Sequence, residues 1–158
     1  MNVTITSRFE YGRAMLLAGL RQHHKFDEAA AGIPAQWQRF VALGLMPAAG
    51  ATTYGVMCGT DQAARSFEYM CAVEVPSFDG LRAEIGRMRI PAQHYAVFTH
   101  KGHVASLRQT WDAIWSEWLP TSGFRPASTP DFERYDERFN PMTGEGAIEI
   151  WFPVEKAK

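Results

Sequence analysis

Two stretches of the chain have the period of a helix with one apolar face. The first covers residues 32–44, with Pro34 placed for a first helical turn and Gly44 placed for the stop. The second covers residues 104–118 and is ended by Pro120. The apolar stripes consist of Trp37, Phe40 and Val41 in the first helix and of Leu107, Trp111, Ile114, Trp115 and Trp118 in the second. Both stripes predict helices that pack one side against a core.

Shorter segments are rich in strand-forming residues and end at turn residues. They are residues 11–20, 52–58, 67–75, 88–90, 95–99, 130–135 and 147–154. Lined up with the helices, they give strand, helix, strand, strand, and then the same order again. We therefore predict an α+β fold in which one strand–helix–strand–strand unit is duplicated. The two repeats cover about residues 8–76 and 88–155 of a single domain, 1–158, with residues 77–87 as linker.

The duplicated unit predicts a single antiparallel sheet of about eight strands, made of two half-sheets joined edge to edge. Both helices are expected on one face, with a ligand groove at the pseudo-twofold interface between the halves. Residues 22–31 and 139–145 carry loop signals. The first of these is polar and Ala-rich, which indicates a lid or a short extra helix.

Composition places the chain among globular proteins, with 46% apolar and 21% charged residues in 158. No apolar run approaches the roughly 20 residues that span a membrane, and the polar start does not resemble a secretory signal, so we expect a cytoplasmic protein with no membrane partner. A net charge of −1 without a basic run argues against direct nucleic acid binding. Cys58 and Cys71 are expected to be free thiols on strands.

No metal or cofactor motif stands out. The three histidines nearest one another lack the further ligands that a metal site needs, and no phosphate-binding glycine loop follows a strand. These histidines are His94, His100 and His103. We therefore expect no metal and no cofactor.

Aromatic residues make up 13% of the chain, including five Trp; most are expected in the core, and this number of Trp also suits a pocket for flat or apolar ligands. On an extended segment 130–135, Glu133 and Tyr135 face one way and Phe132 and Arg134 the other. A carboxylate among aromatic rings suits a delocalised organic cation, because the rings supply area and cation–π attraction. The alternative from the residues alone is an exposed Glu133 paired with Arg134 or Lys101.

Three motifs resemble those of one family. The first motif is a strand with a glycine turn at residues 95–102 (YAVFTHKG), followed by a helix end of the form "W-L-P-x-S-G" within residues 117–123 (EWLPTSG). The second is a strand of the form "P-x-F-E-x-Y" at residues 130–135 (PDFERY), and the third is a closing "I-E-I-x-x-P-V" at residues 148–154 (IEIWFPV). Their order and spacing also match. The first half agrees in layout, through Ile33-Pro34 before a Trp-containing helix and through the strand Tyr54-Gly55-Val56. Together they resemble the gyrase-inhibitory-protein-like small-molecule-binding family.

The resemblance implies that Glu133 is the polar anchor of a ligand pocket and that Tyr54 faces the same pocket. We expect ligand contacts from Tyr135, Tyr54, Trp115, Trp151, Trp118, Tyr69 and Trp37. The helical tryptophans among them are core candidates first, whereas Trp151, on the last strand, is the better wall candidate. Glu68 is expected in solvent, and Glu149 either on the polar face or opposite a ligand.

The family includes a gyrase-inhibitory protein, effector-binding domains of AraC-type and multidrug-sensing MerR-type transcription regulators, stand-alone drug-binding proteins, and hydrolases of cyclopropane-containing toxins. The chain has no room for the helix-turn-helix domain of the regulators. We expect a stand-alone binding protein for hydrophobic, cationic or aromatic small molecules. The alternatives are a hydrolase that uses Glu133 with Tyr135 or Tyr69, and an inhibitor of DNA gyrase; the ligand and any protein partner stay open.

Overall fold

The computed structural model describes residues 7–47 and 51–157, so the ends of the predicted domain 1–158 lie outside the described residues. Nine strands and two helical segments are found there. The strands are β1 Ser7–Gly12, β2 Met15–Lys25, β3 Thr53–Asp61, β4 Ser66–Val75, β5 Gly86–Ile90, β6 Gln93–His103, β7 Phe124–Pro126, β8 Asp131–Asn140 and β9 Glu145–Lys156. The α+β prediction is confirmed.

The first helix, α1, spans Ala29–Ala42. The second segment is a helical run over residues 104–121. It consists of a 3₁₀ turn Val104–Ser106, the helix α2 Leu107–Ala113, a π-helical turn Ile114–Trp118 and a closing 3₁₀ turn Leu119–Thr121. The run therefore widens after Ala113, in the turn that contains Trp115 and Trp118.

Three boundaries differ from the prediction. The expected strand 11–20 is two strands, β1 and β2, separated at Arg13 and Ala14. Residues 22–31, expected as a loop that forms a lid or a short extra helix, are instead the end of β2 through Lys25, a turn and the start of α1 at Ala29. The early start puts Pro34 inside α1 rather than in its first turn, while Gly44 follows the helix with φ +74°, as a stop signal requires.

The main sheet has the strand order β1-β6-β9-β8-β3-β4-β2-β5, with antiparallel neighbours, and β7 pairs separately with β9. This order is symmetric about the β3–β8 pair. One predicted repeat contributes β8, β9 and β6 on one side of this junction, and the other contributes β3, β4 and β2 on the other side. Beyond them lies a short strand from the other part of the chain: β1 pairs with β6, and β5 pairs with β2. That the two halves superpose remains a prediction.

The sheet must curl, because short links join strands near its opposite ends. Arg13 and Ala14 connect β1 to β2, and Pro91 and Ala92 connect β5 to β6. Each connected pair is separated by six strand spacings in the sheet, which is about 29 Å if the sheet is flat. A link of two residues spans roughly 10 Å at most. The two ends of the sheet therefore approach each other and one face is enclosed.

The enclosed face, called the inner face below, carries its own core, and neither of the two described helical segments packs against it. One row of paired residues across it is Val97, Trp151, Phe132, Val56 and Met70. These side chains join a cluster in which Leu17, Val56 and Met70 are fully buried. The curl, rather than a helical layer, excludes water from this side.

Both helices pack on the other face, called the outer face below. A row of paired residues crosses it from Phe98 through Ile150, Glu133 and Gly55 to Cys71. Phe40 of α1 packs against Cys71 and Tyr69, and Ile114 of the second helical segment packs against Phe98 and Ile150. Glu133 thus lies at the junction of the halves, between the two helices.

Candidate functional site

Glu133 is a buried carboxylate in the middle of the outer face, with 7% of its surface exposed. It accepts three hydrogen bonds. The Tyr135 and Tyr69 hydroxyls donate to Oε1 at 2.7 and 3.1 Å, and the Trp111 indole Nε1 donates to Oε2 at 3.1 Å. Both carboxylate oxygens are therefore engaged, and the donors come from β8, β4 and α2. We call this group of four side chains the Glu133 site.

The arrangement follows from the period of the strands. Tyr135 stands two residues after Glu133 on β8, so both side chains point to the same face. Tyr69 lies on β4, two strands away, and its hydroxyl reaches Glu133 across β3. Its oxygen also accepts a hydrogen bond from Trp37 Nε1 of α1 at 3.2 Å. Both helices are thereby tied to the carboxylate, one directly and one through a tyrosine.

Gly55 makes this crossing possible. It pairs with Glu133 on one side and Cys71 on the other, under the Tyr69 hydroxyl. A Cβ at this position would lie 1.9 Å from the hydroxyl oxygen of Tyr69 and 2.9 Å from Glu133 Oε1. Any side chain here therefore separates the tyrosine from the carboxylate.

The electrostatics of the site are unbalanced. Burial raises the pKa of Glu133, and the hydrogen bonds from Tyr135, Trp111 and Tyr69 partly oppose that rise. Burial and the Glu133 charge raise the pKa values of Tyr69 and Tyr135, which stay protonated as donors. Among residues 7–47 and 51–157, no basic side chain forms an ion pair with Glu133. The charge is held by neutral donors alone.

The structure brings together four of the residues selected from sequence: Glu133, Tyr135, Tyr69 and, through Tyr69, Trp37. Trp111 and Gly55 were not selected. Trp111 shares its helical stripe with Trp115 and was assigned to the core, and Gly55 was noted only as part of a strand motif. A signal for Gly55 was present, since a glycine in the middle of a strand often marks a close approach.

The predicted positions of Tyr54 and Trp151 are corrected by the structure. Both were expected beside Glu133, and both lie on the inner face. Glu133 pairs with Gly55 and Ile150, so the residues one position away point through the sheet to the other side. There the Tyr54 ring meets Phe132 at 5.5 Å, and the Trp151 ring stacks on Phe132 at 5.6 Å.

Trp115 and Trp118 lie over the outer face without touching Glu133. Trp115 is half exposed and its ring meets Phe152 edge-on at 5.1 Å. Trp118 meets Phe98 edge-on at 5.0 Å. Both contacts are made on the β9–β6 side of Glu133, under the second helical segment.

A second cluster of buried charges lies on the inner face and is internally compensated. Glu149 accepts from Arg8, Arg138 and the Trp151 indole, at 3.1, 3.0 and 3.0 Å. Asp136 pairs with Arg134 at 2.7 Å and Arg138 at 3.0 Å. Glu149 is thus a structural ion-pair partner. Glu68 is likewise paired, with Arg21.

Other candidate chemistry is sparse within the described ranges. No three His, Cys, Asp or Glu side chains converge there on a metal-binding position. Cys58 and Cys71 are free thiols on β3 and β4, as predicted. None of the described helices is long and apolar enough to cross a membrane. An open groove of about 390 Å³ lies where the sheet ends meet, lined by Ala14, Met15, Leu16, Arg89, Ile90 and Pro91, away from Glu133.

Comparison with known proteins places the chain in a class. Residues 8–154 match the Cass2 family, described as integron-associated effector binding proteins. The chain belongs to this family of small-molecule effector-binding proteins, and the resemblance to gyrase-inhibitory-protein-like proteins is confirmed.

The chain is similar to two proteins of known name and to one solved structure. The transcriptional regulator BrlR of Pseudomonas aeruginosa is 33% identical over 103 residues, 65% of this chain and 37% of the regulator. A DNA gyrase inhibitor of Erwinia billingiae is 36% identical over 69 residues, 44% of each chain. The matched segments span less than half the length of both relatives. The structure of SAV2435 bound to tetraphenylphosphonium is similar with a TM-score of 0.74, 21% identity and coverage of 95% of this chain and 94% of that one, which shows a shared fold.

Proposed function

We propose that this protein binds hydrophobic organic cations in the cytoplasm as a stand-alone receptor or sequestering protein, with Glu133 as the anionic anchor. The observation that carries the proposal is a buried carboxylate surrounded by aromatic donors, with no basic partner among the residues that the structure describes. Tyr69, Tyr135, Trp37 and Trp111 supply the rings around it.

A ligand cation completes the charge balance that the protein leaves open. Keeping an ionised carboxylate out of water is costly unless an opposite charge approaches it. A lipophilic cation has a small hydration cost of its own, and aromatic faces attract it further by cation–π interaction. A neutral ligand of the same shape gains only the apolar contact. The site therefore favours positive charge over shape alone.

The comparisons support a small organic cation as the ligand class. A protein of the same fold, SAV2435, binds tetraphenylphosphonium, a monocation surrounded by four phenyl rings. The relative BrlR is a transcriptional regulator, which fits a domain that senses an effector. Neither observation assigns a ligand to this chain, so the class of cation rests on the Glu133 site.

Entry of a ligand requires the helices to move. Glu133 is covered by Trp111 of α2 on one side, and by Tyr69 held by Trp37 of α1 on the other. A triphenyl cation that reaches the carboxylate must displace at least the Trp111 hydrogen bond. Trp115 and Trp118, on the same helical segment, then form part of the wall around the ligand. Binding should accordingly change tryptophan fluorescence.

The test uses a pair of ligands of nearly equal shape and different charge, methyltriphenylphosphonium and triphenylphosphine oxide. The cation should quench tryptophan emission saturably, and the oxide should bind at least tenfold more weakly at the same salt concentration. Equal affinities would contradict a charge-selective site. Repeated product formation from a cyclopropane-bearing electrophile, followed by chromatography, would favour the hydrolase alternative over a binder.

Gyrase inhibition is the second candidate function, and the observation that favours it is the relative named DNA gyrase inhibitor. The similarity to that relative covers 69 residues. The chain's net charge of −1 gives no indication of an acidic surface with which it could bind gyrase. A gyrase supercoiling assay with increasing protein decides the matter. Inhibition at stoichiometric protein supports this function, and unchanged supercoiling removes it.

A further inference from the structure

Asp131 is the first residue of β8 and lies on the same face as Glu133. Asp131 pairs with Met57 and Glu133 pairs with Gly55, with no register shift between them. Residues two apart on a strand point the same way and lie roughly 6.5–7 Å apart along it. Met57 itself packs against the cluster of Phe40, Tyr69 and Cys71. Asp131 therefore lies one step further along the outer face, beside the Glu133 site.

The position is partly open to solvent, unlike that of Glu133. Burial nevertheless raises the pKa of Asp131 to about 7, and the charge of Glu133 adds to the rise. The Asp131 charge also makes a small contribution to the raised pKa of the Cys58 thiol, which is due first to burial and then to the charge of Glu68. Asp131 is thus the outer of two carboxylates in sequence along one strand.

Asp131 and Glu133 differ from the other non-exposed carboxylates in the described ranges because they have no arginine partner there. Six carboxylates in the described ranges are not exposed: Glu10, Glu68, Asp131, Glu133, Asp136 and Glu149. Four of them form ion pairs with arginine, all on the inner face or its rim. Asp131 and Glu133 form none within residues 7–47 and 51–157. The non-exposed carboxylates without an arginine partner are therefore concentrated at one place, the Glu133 site and the adjacent outer-face position on β8.

We propose that Asp131 is a second anionic anchor of the Glu133 site. The site then selects aromatic ligands with two cationic groups whose separation matches that of the Asp131 and Glu133 carboxylates. The inner cation pairs with Glu133 among Tyr69, Tyr135 and Trp111. The outer one pairs with Asp131, where solvent still reaches. This inference deepens the proposed function and rests on it.

The experiment compares two ligands with the same ring. The dication 1,3-bis(aminomethyl)benzene carries two ammonium groups whose separation is comparable to that of the two carboxylates, and 3-methylbenzylamine carries one. Both are titrated calorimetrically at pH 8 and one salt concentration into the wild type, Asp131→Asn and Glu137→Gln. Glu137 is an exposed acidic residue on the same strand, so its substitution is the matched control for the loss of one negative charge.

The wild type should bind the diamine at least tenfold more tightly than the monoamine. Asp131→Asn should reduce that preference to no more than about twofold, the statistical advantage of two amines, and Glu137→Gln should leave it unchanged. A wild type without preference for the diamine overturns the inference, and so does an equal loss in both variants, which indicates long-range charge only. Methyltriphenylphosphonium is titrated in parallel. If it binds while the diamine preference is absent, the Asp131 inference fails alone, and if no cation binds, the proposed function fails with it.

Discussion

Tyr69 and Glu133 come from different halves of the chain, and their side chains meet at 3.1 Å directly over Gly55. The contact crosses the β3–β8 junction, so the carboxylate is held by both halves at once. It also fixes the orientation of the Tyr69 hydroxyl that anchors Trp37. The junction of the sheet and the docking of α1 therefore depend on the same polar group.

Gly55→Ala tests this dependence. The added methyl overlaps the Tyr69 hydroxyl at 1.9 Å, so either Tyr69 or β3 must shift and the hydrogen bond to Glu133 is lost. We expect a loss of about 2 kcal/mol or more in the free energy of unfolding, measured by urea denaturation. The control is Gly86→Ala, where the nearest atoms are a side-chain carbon of Arg21 and the backbone oxygen of Gly19, both at 3.1 Å rather than 1.9 Å. A Gly55→Ala protein as stable as the control would show that the crossing does not need glycine.

Trp111→Phe removes the indole donor and keeps an aromatic ring on α2. Oε2 of Glu133 then lacks its donor, and the variant should lose about 1–2 kcal/mol in unfolding free energy. Trp115→Phe is the matched control, because Trp115 is half exposed and lies over Phe152 rather than the carboxylate. In the double variant with Glu133→Gln, the Trp111→Phe loss should shrink. Additive losses would mean that Trp111 stabilises the fold through packing alone.

Asp136 should stabilise the protein in a pH-dependent way. Hydrogen bonds and charge from Arg138, followed by Arg134, lower its pKa from 3.8 to about 2. The folded state therefore binds this proton more weakly than the unfolded chain does, and the stabilisation is present above about pH 4 and lost as the pH falls towards 2. Asp136→Asn should cost about 2 kcal/mol at pH 7 and almost nothing near pH 2. A cost independent of pH, measured by urea unfolding across this range, would assign Asp136 a packing role.

Asp131 should have the opposite effect on stability from Asp136 and destabilise the protein as the pH rises. Its pKa is raised from 3.8 to about 7, so the folded state holds the proton more tightly and stability falls as the pH rises between these values. Asp131→Asn removes this loss. The variant should equal the wild type near pH 4 and exceed it above pH 7 by on the order of 2 kcal/mol, since solvent at this partly open position screens part of the effect. A variant that is less stable than the wild type at pH 8 would contradict the raised pKa.

Much of the architecture was predictable because it depends on local patterns. The apolar stripes of both helices, the alternation of Glu133 with Phe132 and the duplicated order of elements follow from periods of 3.6 and 2 residues. The face of the sheet on which Tyr54 and Trp151 lie does not follow from these periods. Parity within one strand is local, but the face that a residue shares with another strand depends on the pairing register, and a slip of one residue reverses it.

Two other features depend on contacts that are distant in sequence. Residues 22–25 are polar enough to predict a loop, yet β2 continues because His24 is buried and hydrogen-bonds Gln36 of α1 at 2.6 Å. Trp111 belongs to an ordinary apolar stripe, and only the docking of α2 over β8 brings its indole N–H to Glu133. The helical stripe identified Trp111 as a buried residue without indicating its polar partner.

The most direct measurement of the central claim is the affinity of Glu133→Gln for a cation and for its neutral counterpart. Glutamine keeps the shape of the side chain and removes the charge. Calorimetric titration of methyltriphenylphosphonium and triphenylphosphine oxide into the wild type and the variant, at one pH and salt concentration, separates charge from shape, with thermal unfolding as the check that both proteins fold. We expect the cation to lose about 2 kcal/mol or more of binding free energy, roughly 30-fold in affinity, and the oxide to change less than about twofold. Equal losses for both ligands, or no loss for the cation, would contradict it.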